Sequence, residues 1–219
     1  MNPAKQEILV TGVSSFVGCH LIRGFSQTNA WKVLPVGSKK SEDYESQRTR
    51  RIDFGGEKNN WTVLNLKNEP SIKKFIRTFR PDIWVHHAGY AKNYASPNYD
   101  IREGYDTNVA PLKYIFENLA QNGCKGVLIT GSSMEYSETD KICLESDLCL
   151  PKSPYGQSKL KETLTALEMS EQFRIPTRIA RLFIPFGPLD NPNKLIHYVI
   201  ERLQSGNSVD LSPCKQKRD

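Results

Sequence analysis

Short, continuous apolar runs alternate along the chain with longer segments whose apolar residues recur at helical spacing. The runs predict strands over 7–11, 32–36, 61–66, 83–87, 126–131 and 177–183. The spaced segments predict helices over 16–27, 70–79, 100–121, 154–172 and 192–205. Ile83-Trp84-Val85 and Val127-Leu128-Ile129 are apolar at successive positions, the pattern of strands buried on both faces. Strand and helix in alternation predict a parallel sheet covered by helices on both sides. Right-handed crossovers restrict this to an α/β doubly wound parallel sheet, a three-layer αβα arrangement of the Rossmann type. Residues 137–153 form a polar, proline-containing stretch, too long for a simple connection and of the kind that borders active sites. After 192–205, Gly206-Asn207-Ser208 turns into Val209-Asp210-Leu211, where a further strand is expected to start.

Composition narrows this picture. The 219 residues suffice for one good-sized core, and 38% apolar with 25% charged residues is a globular balance. No apolar run approaches membrane-spanning length, so no membrane association is expected. The five cysteines have no paired metal spacing, and no metal site is expected. Their odd number, with no export-type N-terminus, predicts reduced thiols and a cytoplasmic location. Thirty basic against 24 acidic residues give a formal charge of +6. The basic clusters at Lys39-Lys40, Arg48-Thr49-Arg50-Arg51 and Lys215 to Arg218 are not lined up with aromatics, so no nucleic-acid partner is implied. A small anionic ligand suits the charge as well.

The stretch Thr11-Gly12-Val13-Ser14-Ser15-Phe16-Val17-Gly18 joins the first strand to the first helix. A helix N-terminus offers unpaired N–H groups and partial positive charge to a diphosphate. Gly12 can supply the tight turn, and Gly18 lets the helix sit close to the strand. Ser15 stands at the middle position, where backbone must approach phosphate, and this predicts a negative φ there. By itself the turn is equally an ordinary strand-to-helix connection. The second strand ends at Val36-Gly37-Ser38-Lys39-Lys40, without the acidic residue that binds a ribose 2′-OH. Basic residues there suit a 2′-phosphate and favour NADP over NAD.

Tyr155 and Lys159 are four apart on an expected helix and share a face. A nearby ammonium lowers a phenol's pKa, which suits Tyr155 for proton transfer to a carbonyl or alcohol oxygen. A serine at the end of the fifth strand can hydrogen-bond the same oxygen. These residues, in order along the chain, resemble the extended short-chain dehydrogenase/reductases, in particular the NAD(P)-dependent sugar epimerase/dehydratase/reductase group. Residues 11–18 resemble that family's cofactor turn, with Ser15 in place of its middle glycine. Asn65-Leu66 stands at its adenine segment, with Asn65 in place of an aspartate. His86-His87-Ala88-Gly89 resembles its loop after the fourth strand, Asn108 its helix asparagine, and Thr130-Gly131-Ser132-Ser133 its serine strand. The family's spacing to Tyr136 selects Ser132 over Ser133. Arg181 to Pro188 resembles the loop after the sixth strand, with Ile184 where an asparagine is common.

The resemblance implies Ser132, Tyr155 and Lys159 as catalytic residues. It implies cofactor contacts from Gly12, Ser14, Ser15, Phe16, Val17, Gly18, Ser38, Lys39, Asn65, Leu66, His87, Ala88, Gly89, Asn108, Thr130, Tyr155 and Lys159. A Rossmann domain over 1–188 and the beginning of a small substrate-binding lobe over 189–219 are expected, since family members continue past this point. The expected reaction is NADPH-dependent reduction of a keto group on a nucleotide-activated sugar. The alternatives are an NAD-dependent epimerase or dehydratase and a non-catalytic dinucleotide-binding protein. A homodimer is implied through helices 100–121 and 154–172, whose apolar residues (Leu112, Ile115, Leu119; Leu160, Leu164, Leu167) equally fit a core-facing stripe. The resemblance to dehydratases offers Glu135 as a further acid/base group, but it reads first as a solvated loop residue.

Overall fold

Six parallel strands run in the order β3-β2-β1-β4-β5-β6. The computed structural model describes residues 5–56, 60–137 and 142–213. The strands are β1 Gln6–Thr11, β2 Trp31–Gly37, β3 Thr62–Val63, β4 Ile83–His86, β5 Gly126–Ser132 and β6 Thr177–Leu182. The chain winds outward from β1 to β3, crosses back to β4, and winds the other way to β6. The switch point therefore lies between the carboxyl ends of β1 and β4, where such sheets bind ligands.

Alternate residues of each strand feed two cores. Ile8, Val10 and Val85 meet Ile22 of α1 (Phe16–Ser26) and Ile52 of α2 (Ser46–Gly55). On the other face Leu9, Trp84 and Ile129 meet Ile72 and Ile76 of α3 (Glu69–Phe79), Ile115 and Leu119 of α5 (Leu112–Gln121), and Ala166 of α6 (Pro154–Phe173). Local chemistry sets the helix ends. Asn68 caps α3 through Ser71 N–H, and Ser153 caps α6 through Gly156 N–H, each with proline in the first turn.

The sheet and its layers agree with the sequence pattern; several elements differ in detail. β3 shrinks to two residues, which pair with Val36 and Gly37 at the end of β2. The expected 100–121 helix is three pieces: α4 Ile101–Gly104, a π turn over Tyr105–Val109, and α5 after Pro111. α2 is not legible in the sequence, because only Ile52 and Gly55 of its ten residues are buried and no apolar period shows. It carries the Arg48-Thr49-Arg50-Arg51 cluster. The last helix is α7, Leu195–Gln204, with no buried residue. The strand expected at Val209-Asp210-Leu211 does not form. Cys214 and the 215–218 cluster lie outside the described residues.

Candidate active site

Gly12 follows β1 at φ +84, which a residue with a side chain rarely adopts. A Cβ there would also lie 3.2 Å from His87 Cδ2 and from Ala88 N. Ser15 takes φ −82, the expected negative value, and ψ 161. This is the extended backbone of a helix N-cap, and its Oγ accepts Gly18 N–H at 2.8 Å. At Gly18 a Cβ would strike the Gly12 carbonyl, so the turn closes only with glycine. Ser15 thus satisfies one first-turn donor of α1. The Phe16 and Val17 N–H groups have no intrahelical acceptor, and with the positive helix end they fit a diphosphate.

Ser15 also reaches His87 Nε2, at 2.8 Å. On the far side, His87 Nδ1 lies 3.0 Å from Thr130 Oγ1, which donates to the His86 carbonyl at 3.3 Å. Thr130 spends its only proton on that carbonyl and so accepts from Nδ1–H. Nε2 is then the bare nitrogen, and the Ser15 hydroxyl donates to it. Burial and the Lys159 charge push the His87 pKa down to about 4, so the ring is neutral at pH 7. The Thr11 hydroxyl pins the same loop, accepting His87 and Ala88 N–H at 2.9 Å each. Asn108, on the π turn, spends its amide on Tyr90: Oδ1 accepts Tyr90 N–H at 2.6 Å and Nδ2 donates to Tyr90 O at 3.2 Å. It holds the loop at Gly89, where a Cβ would lie 2.9 Å from Asn108 Oδ1.

The adenosine-side candidates spread along the same edge. The backbone N–H groups of Ser38 and Lys39 both donate to the Tyr44 hydroxyl at 3.2 Å. Arg48 of α2 donates to the buried Ser14 hydroxyl at 3.4 Å. Asn65 is exposed and accepts Lys67 N–H at 3.0 Å, while buried Leu66 takes the Tyr114 hydroxyl on its carbonyl. Sequence reasoning does not reach Arg48 and Tyr44: the arginine hides in a helix without apolar period, and the tyrosine in a polar loop.

At the other end, β5 finishes at Ser132 and enters a 3₁₀ turn over Ser133–Glu135. Ser132 Oγ accepts Met134 N–H at 3.2 Å, leaving its proton to donate. The first turn of α6 presses on this turn: a Cβ at Gly156 would strike the Met134 carbonyl and sit 2.8 Å from Pro151 Cβ. Tyr155, the preceding residue, packs against Tyr99 and Tyr94 with ring centroids 5.4 and 5.6 Å away. One turn on, the buried Lys159 ammonium donates to Glu162 Oε2 at 2.5 Å.

This pair corrects the expected electrostatics of Tyr155. Burial pushes its phenol pKa up; Lys159 pulls it down, but Glu162 and Glu135 push it up again. The net shift is upward, so Tyr155 is a protonated acid at neutral pH. Burial works against the Lys159 charge, but Glu162 and Tyr155 outweigh it and its pKa rises. Sequence reasoning misses Glu162, although its i, i+3 relation to Lys159 stands in the sequence. Glu135 is the second correction. It is fully buried, not solvated, and accepts from Ser132 N–H at 2.7 Å, the Thr163 hydroxyl at 2.9 Å and Arg181 Nε at 3.0 Å. His86, next to His87, is buried with its pKa pushed down to about 3 by burial first and then by Lys159 and His87.

A doubly wound sheet with a glycine turn at its switch point and a Tyr-x-x-x-Lys pair at its carboxyl edge is the framework of dinucleotide-binding α/β proteins. The chain belongs to the NAD dependent epimerase/dehydratase family, whose model matches residues 8–219. It is similar to a UDP-glucose 4-epimerase of Pisum sativum, 26% identical over 229 residues, covering 97% of this chain and 64% of the relative. Among solved structures it is similar to UDP-glucuronic acid 4-epimerase of Bacillus cereus in complex with UDP-glucuronic acid and NAD. That match has TM-score 0.77 and 22% identity, and covers 92% of this chain and 64% of the other. A dTDP-glucose 4,6-dehydratase of Bacillus anthracis in complex with NAD matches with TM-score 0.72 and 20% identity, covering 92% and 62%. The chain therefore spans about two thirds of the length of these relatives. Among the described residues, no helix is long and apolar enough to cross a membrane.

Proposed function

We propose that this chain carries the dinucleotide-binding part of an enzyme that acts on a nucleotide-activated sugar by the redox chemistry of epimerases and dehydratases. The observation that supports the reading is that α6, whose first two turns carry Tyr155 and Lys159, seats against the turn that follows Ser132, on the carboxyl edge of the sheet where the Gly12–Gly18 turn also lies. The relatives named are 4-epimerases and a 4,6-dehydratase, which favours this chemistry over the net ketoreduction that the lysines after β2 suggest. Residues 1–188 form the dinucleotide domain in this reading, and 189–219 open a substrate lobe.

A nicotinamide cofactor supplies hydride acceptance and return. Gly12, Phe16, Val17 and Gly18 hold its diphosphate by backbone. Tyr155 exchanges a proton with the sugar oxygen, Ser132 donates a hydrogen bond to the same oxygen, and Lys159 is the charge that pulls the phenol's pKa down against burial, Glu162 and Glu135. A specific observation favours NADP as the alternative to NAD. Ser38 and Lys39 follow β2 where an acid is wanted, and the Arg48 guanidinium stands at Ser14. The exposed Leu164 and Leu167 of α6 and Tyr105 of the π turn support a homodimer. Leu112, Ile115 and Leu119 of α5 do not, since all three lie in the core.

The test is the nucleotide released when the purified protein is denatured, followed by turnover of UDP- and dTDP-hexoses. NAD released at one equivalent supports the epimerase/dehydratase chemistry; an empty protein that consumes NADPH with a 4-keto sugar supports the reductase. Tyr155→Phe is expected to lower turnover by about 10²-fold or more while cofactor binding stays within a few-fold. Full activity in that variant removes Tyr155 from the mechanism.

A further inference from the structure

Ser15 and His87 meet at the turn where a diphosphate would sit, one from the start of α1 and one from the loop after β4. Hydrogen counting defines what they can offer it. A serine hydroxyl has one proton and two lone pairs. In the neutral chain the Ser15 proton goes to His87 Nε2, and one lone pair takes Gly18 N–H. Ser15 then has no proton left for an anion. With a second proton on His87, both ring nitrogens become donors. Nδ1–H still bonds Thr130 Oγ1, so the ring stays anchored. Nε2–H now donates to Ser15 Oγ, and the serine proton turns free.

We propose that His87 and Ser15 form a proton-coupled receptor for the dinucleotide's diphosphate: binding draws a proton onto His87, which releases the Ser15 hydroxyl to donate to a phosphate oxygen. This rests on the dinucleotide-binding reading above. The groups that face His87 make the ligand the trigger. From α6 comes Lys159, whose charge opposes protonation, and on its own strand edge stands His86, itself held neutral. From α1, β1 and β5 come Ser15, Thr11 and Thr130, all uncharged. Lys159 is already partnered by Glu162. Among the described residues no carboxylate bears on His87, so the anion that favours the imidazolium is the diphosphate itself. The serine in place of a glycine is then a conditional donor.

The experiment is isothermal titration calorimetry of the folded protein with NAD⁺ at about pH 6, in buffers of different ionisation enthalpy. NAD⁺ is the probe because the 2′-phosphate of NADP⁺ is a monoester that titrates near pH ~6 itself. The expected result is net uptake of a fraction of a proton per NAD⁺. Kd is expected to fall as pH is lowered from about 8 to about 5, by at most about tenfold per pH unit. His87→Phe and His87→Gln are both expected to abolish the uptake and flatten the profile; the glutamine keeps a hydrogen-bonding group should the phenylalanine variant fold poorly. Ser15→Ala is expected to weaken binding more at about pH 6 than at about pH 8. Binding without proton exchange, or uptake undiminished in both His87 variants, overturns the proposal and leaves the dinucleotide reading standing. A folded protein that binds NAD⁺ and NADP⁺ at no pH overturns both.

Discussion

At the α1 end of the sheet's carboxyl edge, Ser15, His87 and Thr130 satisfy one another as neutral groups. At the α6 end, Lys159 and Glu162 do so as ions. Both arrangements remove polar atoms from water, but they fail differently. A neutral chain that loses a member leaves one hydrogen bond unmade. An ion pair that loses a member leaves a buried charge. The neutral end can gain a proton when an anion arrives, whereas the ionic end is already committed. In the reading proposed above, the end that meets the cofactor's charge is thus the one whose side chains start neutral.

The sharpest way to break this contrast is Lys159→Ala. It strands Glu162, whose side chain is 1% exposed, and is expected to cost about 3–5 kcal/mol of unfolding free energy in urea at pH 7. A loss below about 1 kcal/mol would mean that the pair is not held as ions. Next is acid. His86 titrates at about 3 in the fold against about 6.5 unfolded, so the unfolded state binds more protons below about pH 6.5 and stability falls with pH there. From His86 alone, about 2 kcal/mol is expected to be gone by about pH 5, read as a falling denaturation midpoint that His86→Gln makes less steep. Smallest is Ser15→Ala, which removes the cap of α1 and is expected to cost about 1 kcal/mol, with Ser15→Gly costing only a few tenths. Equal losses in the two variants would separate the His87 contact from capping.

The layers of the sheet are legible in the sequence because continuous apolar runs leave few alternatives to strands buried on both faces. The turn at Gly12–Gly18 and the Tyr155–Lys159 pair are legible because each is local in sequence. What escapes is set by distant partners. α2 shows no apolar period because it covers its face through Ile52 and Gly55 alone. Glu135 resembles a surface residue because its Arg181 partner arrives from β6, 46 positions on. His87 reads as one of several loop residues along a cofactor; that its ring bonds Ser15, 72 positions earlier, follows only from the pairing of β1 with β4. The raised phenol of Tyr155 escapes because its first cause is burial by the fold and because Glu135 arrives from the turn after β5; Glu162, on the same helix, is within reach of the sequence.

The close seat of Gly156 against Met134 has a consequence for sequence variation. Residue 156 has no side chain with which to touch a substrate, yet a single methyl there would drive the helix off the serine turn. In a saturation library selected for function, position 156 should therefore be as intolerant as Tyr155 itself, with alanine already excluded. The exposed neighbour Gln157 should accept nearly anything. Depletion at 156 beside tolerance at 157 would map the clearance between helix and turn at the scale of one carbon atom.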